Sequence, residues 1–206
     1  MSFRFLHGYV YLDFPKSPRE RVIELAFVQA PQAFYNQDIF QYNLLQGRNI
    51  PNEQDMFMRV VQAGRDRYNA AMYIGSNTVF RRSALAAIGG FATGTITEDM
   101  ATGMLLQAKG FRTVYLNEVI AEGLSAESFP DYIRQRVRWG RGNVQTARKW
   151  NPLTIPGLTR MQRLLYADSV LYCMFGKDTA FQVTPKGVTG QRRFFMRGWP
   201  CPIWSC

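Results

Sequence analysis

Three short stretches of the chain carry residue types that can do chemistry. Thr97-Glu98-Asp99 stands just ahead of a helical run, EDMATGMLLQAKG. A carboxylate at such a loop–helix junction is expected to be exposed and held by nearby backbone N–H groups, and it can take a proton from an attacking hydroxyl. The same letters fit ordinary helix-start chemistry, with Thr97 as N-cap and Glu98 and Asp99 in the positive first turn. The second stretch is QRVRW, Gln135 to Trp139. On a helix, Gln135, Arg138, Trp139 and Gly142 share one face. The planar fork of an arginine holds two oxygens of a pyrophosphate at once, and a neighbouring tryptophan can stack on a pyranose. A solvated arginine-rich helix with Trp139 half-buried explains the letters equally well. The third is FQVTPKG, Phe181 to Gly187. Its Thr and Lys could touch phosphate or a sugar hydroxyl, and an ordinary surface turn is the simpler reading.

The elements that must position these residues follow from periodicity and breakers. VIELAFVQAP (22–31) reads as a buried strand closed by Pro31, and QAFYNQD as a polar loop. From Asn52 to about Tyr68 the pattern is helical, with Met56, Phe57, Val60, Val61 and Tyr68 on one face. AAMYIGSNTVF is strand-like with a break at Gly75-Ser76, and RRSALAAIGG is a short helix stopped by its glycines. The helix after Thr97 carries an apolar face of Met100, Met104, Leu105 and Ala108 and ends at Gly110. FRTVYLN is a further strand, and VIAEGL a candidate for another. Ser128 and Pro130 start a long helix reaching about Trp150. On it, Ile133, Val137 and Val144 form a core-directed stripe. Met161 to Phe175 is an amphipathic helix, and the residues after it are loop-like. Strands alternating with helices predict an α/β layered domain with a mixed sheet.

The chain has 206 residues and 47% hydrophobic composition, enough for one sizeable core. A net charge of +10 favours anionic partners without choosing among them. The basic run of Arg134, Arg136, Arg138, Arg141, Arg148 and Lys149 spreads around its helix, and no nucleic-acid reading motif surrounds it. Cys173, Cys201 and Cys206 show neither a disulfide framework nor zinc spacing, which fits a reduced, cytosolic setting. His7 has no catalytic partner nearby. No signal peptide is read at the start, and no window reaches the roughly 18 apolar residues of a membrane span.

Taken together, FVQAPQAFYNQD, YIGSNTVFRRSAL, GGFATGTITEDMATGMLLQAKGF, QRVRW and FQVTPKG resemble, in content and order, the processive family 2 glycosyltransferases. Within them the chain is most similar to bacterial cellulose synthase catalytic subunits. The resemblance implies a GT-A (Rossmann-like) fold and an inverting transfer of glucose from UDP-glucose to a growing β-1,4-glucan. It implies Asp99 as general base, with Thr97 and Glu98 beside it. Gln135, Arg138 and Trp139 would lie at the diphosphate and acceptor end, and Tyr73, Gly75 and Ser76 would border the acceptor. Phe181, Val183, Thr184 and Lys186 match a gating loop that folds over the nucleotide. Chitin and hyaluronan synthases share the TED and QxxRW logic.

The departures from that family are as informative. The chain contains no D-x-D, the family's ligand set for Mg2+ or Mn2+. Trp139 and Phe181 are 42 positions apart, an interval that cannot hold the family's membrane helices. The expected organisation is an extension over 1–25, the acceptor-side half of a GT-A core over 26–150, an interfacial amphipathic helix region over 151–178, and a gating-loop-like segment with tail over 179–206. The parent enzymes work at the cytoplasmic face of the inner membrane; this chain is expected to be soluble or peripheral. Its expected partners are a UDP-sugar donor and a glucan acceptor, with a separate donor-half chain or membrane subunit if the enzyme is split, and no nucleic acid. A truncated or recombined synthase piece is the other explanation. Little or no turnover is expected of the chain alone. A non-catalytic glucan- or anion-binding fragment is the competing class.

Overall fold

The computed structural model describes residues 2–6, 9–13, 25–45, 47–175, 182–184 and 187–189, with 2–6, 9–13, 48, 173–175, 182–184 and 187–189 given by their backbone alone. In the N-terminal segment β1 (Ser2–Leu6) pairs antiparallel with β2 (Tyr9–Asp13). The apolar run that follows forms β3 (Leu25–Gln29), whose five residues are all buried. A strand covered on both faces needs apolar side chains at successive positions rather than alternation, and LAFV supplies them.

Past Pro31 the chain is more ordered than a polar loop. It contains β4 (Ala33–Phe34) and then α1 (Ile39–Asn43). The Asp38 carboxylate accepts from the N–H groups of Phe40 and Gln41, both at 2.8 Å, while the Gln41 side chain accepts from Asp38 N–H at 3.0 Å. This capping box was present in the sequence as D-x-x-Q.

The helix expected over 52–68 is split. Met56–Val61 is a π-helical turn that runs into α2 (Gln62–Asp66). Met56, Val60 and Tyr68, expected on the core face, are exposed; Val61 is buried as expected, together with Met58, Gln62 and Arg65. The wider i→i+5 winding shifts the phase of every side chain after it.

Of the strand-like run 70–80, only β5 (Thr78–Phe80) joins a ladder. The stretch before it is held by three buried glutamine amides. Gln62 donates to Met72 O at 3.0 Å and accepts from Met72 N at 2.9 Å. Gln107 donates to Ala71 O at 2.8 Å. Gln29 accepts from Ile74 N at 3.1 Å and donates to Ser76 O at 2.7 Å. A primary amide carries the donor and acceptor of a peptide group, so it can complete a backbone that lacks a neighbouring strand.

α3 (Arg82–Ala87) and α4 (Glu98–Ala108) follow, then β6 (Arg112–Tyr115). β3 is the centre of a three-stranded sheet, antiparallel to β5 and parallel to β6. This is the mixed α/β architecture expected from the sequence. β7 (Glu122–Gly123) pairs parallel with β4. α5 (Phe129–Lys149) starts where Ser128 Oγ accepts from Asp131 N at 3.3 Å, with Pro130 in its first turn. α6 (Arg160–Phe175) follows, and the hairpin of β8 (Gln182–Thr184) and β9 (Gly187–Thr189) comes last, with β8 against α5 and α6.

α4 is buried on nearly all sides, Thr102 and Gln107 included, rather than along the one apolar face expected. Its Met100 and Met104 pack with Met72, Leu158, Tyr166 and Val170. α6 thus turns Tyr166 and Val170 inward and leaves Met161, Leu164 and Leu171 exposed, the two-sided pattern of an amphipathic helix. The buried Arg65 guanidinium ties α2 to α6, donating to Ala70 O, Leu165 O and Ser169 Oγ and lying 5.1 Å from the Tyr166 ring centroid. Among the described residues, no helix is long and apolar enough to cross a membrane.

Candidate active site

The chemistry-bearing stretches meet because α5 docks on the start of α4 through small residues. The buried positions of α5 are Arg136, Gly140, Gly142, Asn143 and Thr146. Ile133, Val137 and Val144, expected to be core-directed, are only partly buried. A Cβ on Gly142 would stand 2.5 Å from Thr97 Cγ2 and 2.8 Å from Thr97 N, so only glycine allows this approach. One turn further, the hydroxyls of Thr97 and Thr146 are 3.2 Å apart. Thr97 therefore spends its side chain on α5 and makes no side-chain cap on α4, contrary to expectation.

The floor between the two helices is the Tyr73–Ser76 turn. Gly75 has φ +83°, and a Cβ there would lie 3.2 Å from Asp99 Oδ2, so both backbone conformation and space require glycine. Tyr73 packs edge-on to Phe80 at 4.8 Å between centroids and also neighbours Phe27 and Phe91. Burial, with Asp99 and Glu98 nearby, raises the pKa of its phenol.

These surfaces enclose a cleft of about 440 Å³, within the size range of small-molecule sites. Tyr73, Gly75 and Ser76 line it from the floor, and Thr97, Glu98 and Asp99 from the start of α4. Gln135, Arg138 and Trp139 line it from α5. Ser169 and Tyr172 of α6, which the sequence did not point to, complete the wall. Of the four FQVTPKG residues singled out, Val183 and Thr184 lie in β8, and Phe181 and Lys186 fall outside the described residues.

Asp99 is partly buried rather than exposed. Its pKa rises from 3.8 to about 6; burial is the main cause and the adjacent Glu98 adds to it, while the Met100 N–H (2.7 Å from Oδ1) and Arg138 oppose it. A carboxylate in that range is ionised at neutral pH yet holds a proton far better than an ordinary aspartate, which suits a general base.

Two further charges were missed. Arg136, read only as part of the basic run, is buried and ion-paired with Glu53. It lies 4.9 Å from the Tyr132 ring centroid and 4.6 Å from that of Trp139. The i,i+4 and i,i+3 spacings were visible in YIRQRVRW. Elsewhere in the run, Arg134 pairs with Asp131, and Lys149 donates to Thr93 O at 2.7 Å.

The carboxylates of the cleft are the neighbours Glu98 and Asp99, and among the described residues no three His, Cys, Asp or Glu side chains group closely enough to hold a metal ion. A divalent cation site of protein oxygens needs more ligands than this pair offers.

A family described as "Glycosyl transferase family group 2" matches residues 5–196. "Cellulose synthase 2" of Novacetimonas hansenii is 45% identical over 152 residues, covering 74% of the chain and 10% of that protein. "Cellulose synthase catalytic subunit [UDP-forming]" of Xanthomonas axonopodis pv. citri (strain 306) is 42% identical over 153 residues, covering 74% of the chain and 21% of that protein. The chain thus spans about a tenth to a fifth of the length of these curated relatives. Among solved structures, a mannosyltransferase of Pyrobaculum calidifontis in complex with GDP-Man and Mn2+ superposes with a TM-score of 0.45 at 18% identity, over 73% of this chain and 37% of that one.

Proposed function

The chain belongs to glycosyl transferase family group 2, and from that premise we propose that its cleft is the acceptor side of an inverting, cellulose synthase-like hexosyltransferase site. The observation that carries the proposal is Asp99, with its proton affinity raised to about pH 6, set in one cleft with Arg138, Gln135 and Trp139. The acceptor's 4-hydroxyl oxygen attacks the anomeric carbon of the glucosyl donor, and its proton passes to Asp99. The bond from that carbon to the diphosphate oxygen breaks, and UDP leaves with the electron pair. Arg138 and Gln135 hold the diphosphate as negative charge grows on it. Trp139 stacks on the acceptor sugar, and the Tyr73–Ser76 turn bounds it. The outward face of α6, with Met161, Leu164 and Leu171, rests at the membrane surface in the assembled enzyme. The 182–189 hairpin, against α5 and α6, closes over the nucleotide.

The cleft alone does not complete a site for the divalent ion implied by the family resemblance: with Asp99 as base, Glu98 is the one lining carboxylate left to it. Its ligands, and the pocket for the donor's base, belong to a companion part of the enzyme in this reading. That missing set favours one second reading, a module that holds glucan through the same basic and aromatic face without turnover.

Incubating the chain with UDP-glucose, Mg2+ or Mn2+ and cello-oligosaccharide separates the two. Release of UDP that rises with pH through about 6 and vanishes in Asp99→Asn is the transferase outcome. Oligosaccharide binding lost in Trp139→Ala, with no binding of UDP, is the module outcome; the transferase site binds both, even where the missing companion part prevents release. Neither release nor binding would defeat both readings. Release from UDP-N-acetylglucosamine in preference to UDP-glucose would move the assignment to a chitin or hyaluronan synthase-like transferase.

A further inference from the structure

We propose that Glu53 and Arg136 form a strut behind Trp139 that fixes the orientation of its indole, making Arg136 a positioning residue for the acceptor sugar. The inference rests on the reading of Trp139 as the acceptor platform. Trp139 lines the cleft and Arg136 does not. The guanidinium nevertheless lies over the indole, 4.6 Å from its centroid, so one face of the ring is already covered by a group outside the cleft lining. Arg136 is 8% exposed, and its other ring neighbour, Tyr132, lies one turn back at 4.9 Å. Three consecutive members of one helix face, Tyr132, Arg136 and Trp139, are thereby stacked as ring, cation, ring.

A cation buried between two rings needs a counter-charge, and Glu53 supplies it by accepting from Arg136 Nη2. Glu53 is itself fixed. Its N–H donates to Asp38 Oδ2 at 2.8 Å, the same carboxylate that caps α1. On either side of it, Asn52 N donates to Asp55 Oδ2 at 3.1 Å and Gln54 N to Asn52 Oδ1 at 3.0 Å. The strut therefore runs from the α1 cap through Glu53 and Arg136 to Trp139, joining segments 83 positions apart in sequence. An indole free to rotate about χ1 and χ2 must be ordered when a sugar binds; one already backed by a cation has lost that freedom, and the sugar binds it at lower entropic cost. With one face taken by Arg136, the platform can offer a sugar only one stacking surface, of set tilt. Lysine cannot replace this arginine, because the planar fork is what serves rings and carboxylate together.

The test compares two ligands in one set of variants, using the full chain. In Glu53→Ala, affinity for cellopentaose should fall about tenfold while affinity for UDP stays within twofold, because UDP is held by Arg138 and Gln135. Glu53→Gln, which keeps an acceptor for Arg136 but not the counter-charge, should recover part of the loss. Loss of both affinities together, or of neither, overturns the strut and leaves Glu53 a structural residue. The Trp139 indole N–H resonance, assigned by its disappearance in Trp139→Phe, gives a second measure that needs no ligand. It should shift in Arg136→Lys and in Glu53→Ala and stay near its original position in Glu53→Gln. An unmoved resonance overturns the strut even if the chain binds sugar. A shifted resonance in a chain that binds no cellopentaose upholds the strut and defeats the acceptor reading instead.

Discussion

The two walls of the cleft are built from opposite materials. The floor beneath Asp99 is neutral: the turn at Gly75, held from below by the Gln29 amide, and the rings around Tyr73. The α5 wall is ionic and aromatic, with Arg138 exposed toward the ligand and Arg136 buried behind Trp139. The difference follows from what each wall has to do. A carboxylate gains proton affinity where water is kept from it and a like charge stands near, and the amide and hydrocarbon floor supplies the first of these to Asp99. A leaving diphosphate needs the reverse, a cation free to meet it. The start of α4, which carries Asp99, meets α5 most closely where Gly142 packs on Thr97, with the Thr97 and Thr146 hydroxyls beside it.

The strongest way to break the neutral wall is to remove its amide. Gln29→Leu removes the amide and leaves Ile74 N–H and Ala30 C=O without this partner, while Ser76 C=O and the Thr78 hydroxyl keep each other. Each buried orphan costs about 1–3 kcal/mol, so a loss of about 4 kcal/mol is expected in chemical denaturation. At this chain length that corresponds to a fall in Tm of roughly 10 °C.

The contact between the walls is tested next, by sign as much as by size. An alanine in a helix interior is worth about 1 kcal/mol over glycine. Gly64 has nothing within 4 Å of a built Cβ, so Gly64→Ala should raise stability by about that amount. At Gly142 the same change forces Thr97 away, and overpacking should turn the gain into a loss of about 2 kcal/mol. Thermal melts of the two variants give the comparison; a stabilised Gly142→Ala would mean that the helices are not clamped there.

How much of this could be read beforehand depended on how local each signal was. The capped start of α5 at Ser128 and the buried run of β3 are written in adjacent letters. Thr97, Glu98, Asp99, Gln135, Arg138 and Trp139 line one cleft, and they could be singled out because their chemistry is concentrated in two short stretches. What escaped was built from distant partners. Gln29 looks like an ordinary strand residue until Ile74 and Ser76 arrive from 45 and 47 positions away. The π-helical turn at Met56–Val61 shifted a face that periodicity alone could not phase. α5 buries small and polar residues instead of its apolar ones because its task is close approach to Thr97, and a hydrophobicity pattern cannot report that.

Asp99 sharpens the comparison through pH. Its folded pKa of about 6 lies above its ordinary 3.8, so the folded state binds this proton more tightly than the unfolded chain does. Its contribution favours folding below the unfolded value and is lost as pH rises through about 6. At pH 7.5 the ionised side chain therefore strains the fold. Asp99→Asn should then stabilise the protein by about 1.5 kcal/mol, after allowing for the partial exposure of the group. The gain should disappear by about pH 4, where the native carboxyl is already protonated. A variant that is more stable and cannot take the proton is what a residue held for chemistry predicts. Melting curves across pH 4–8 decide it, and a gain that is flat with pH would remove Asp99 from the role of base.

The smallest effect belongs to the ionic wall and separates two arginines on one helix. Arg138→Lys keeps the charge in the cleft but gives up the planar fork, so UDP should bind about fivefold more weakly, equivalent to about 1 kcal/mol. Arg134→Lys changes a side chain that pairs with Asp131 at the surface, where an exposed ion pair contributes little. UDP titration should show no change there. Equal losses in both would mean that α5 attracts the nucleotide through its summed positive charge; unequal losses, larger at Arg138 and insensitive to a moderate rise in salt, place the diphosphate in the fork of that one guanidinium.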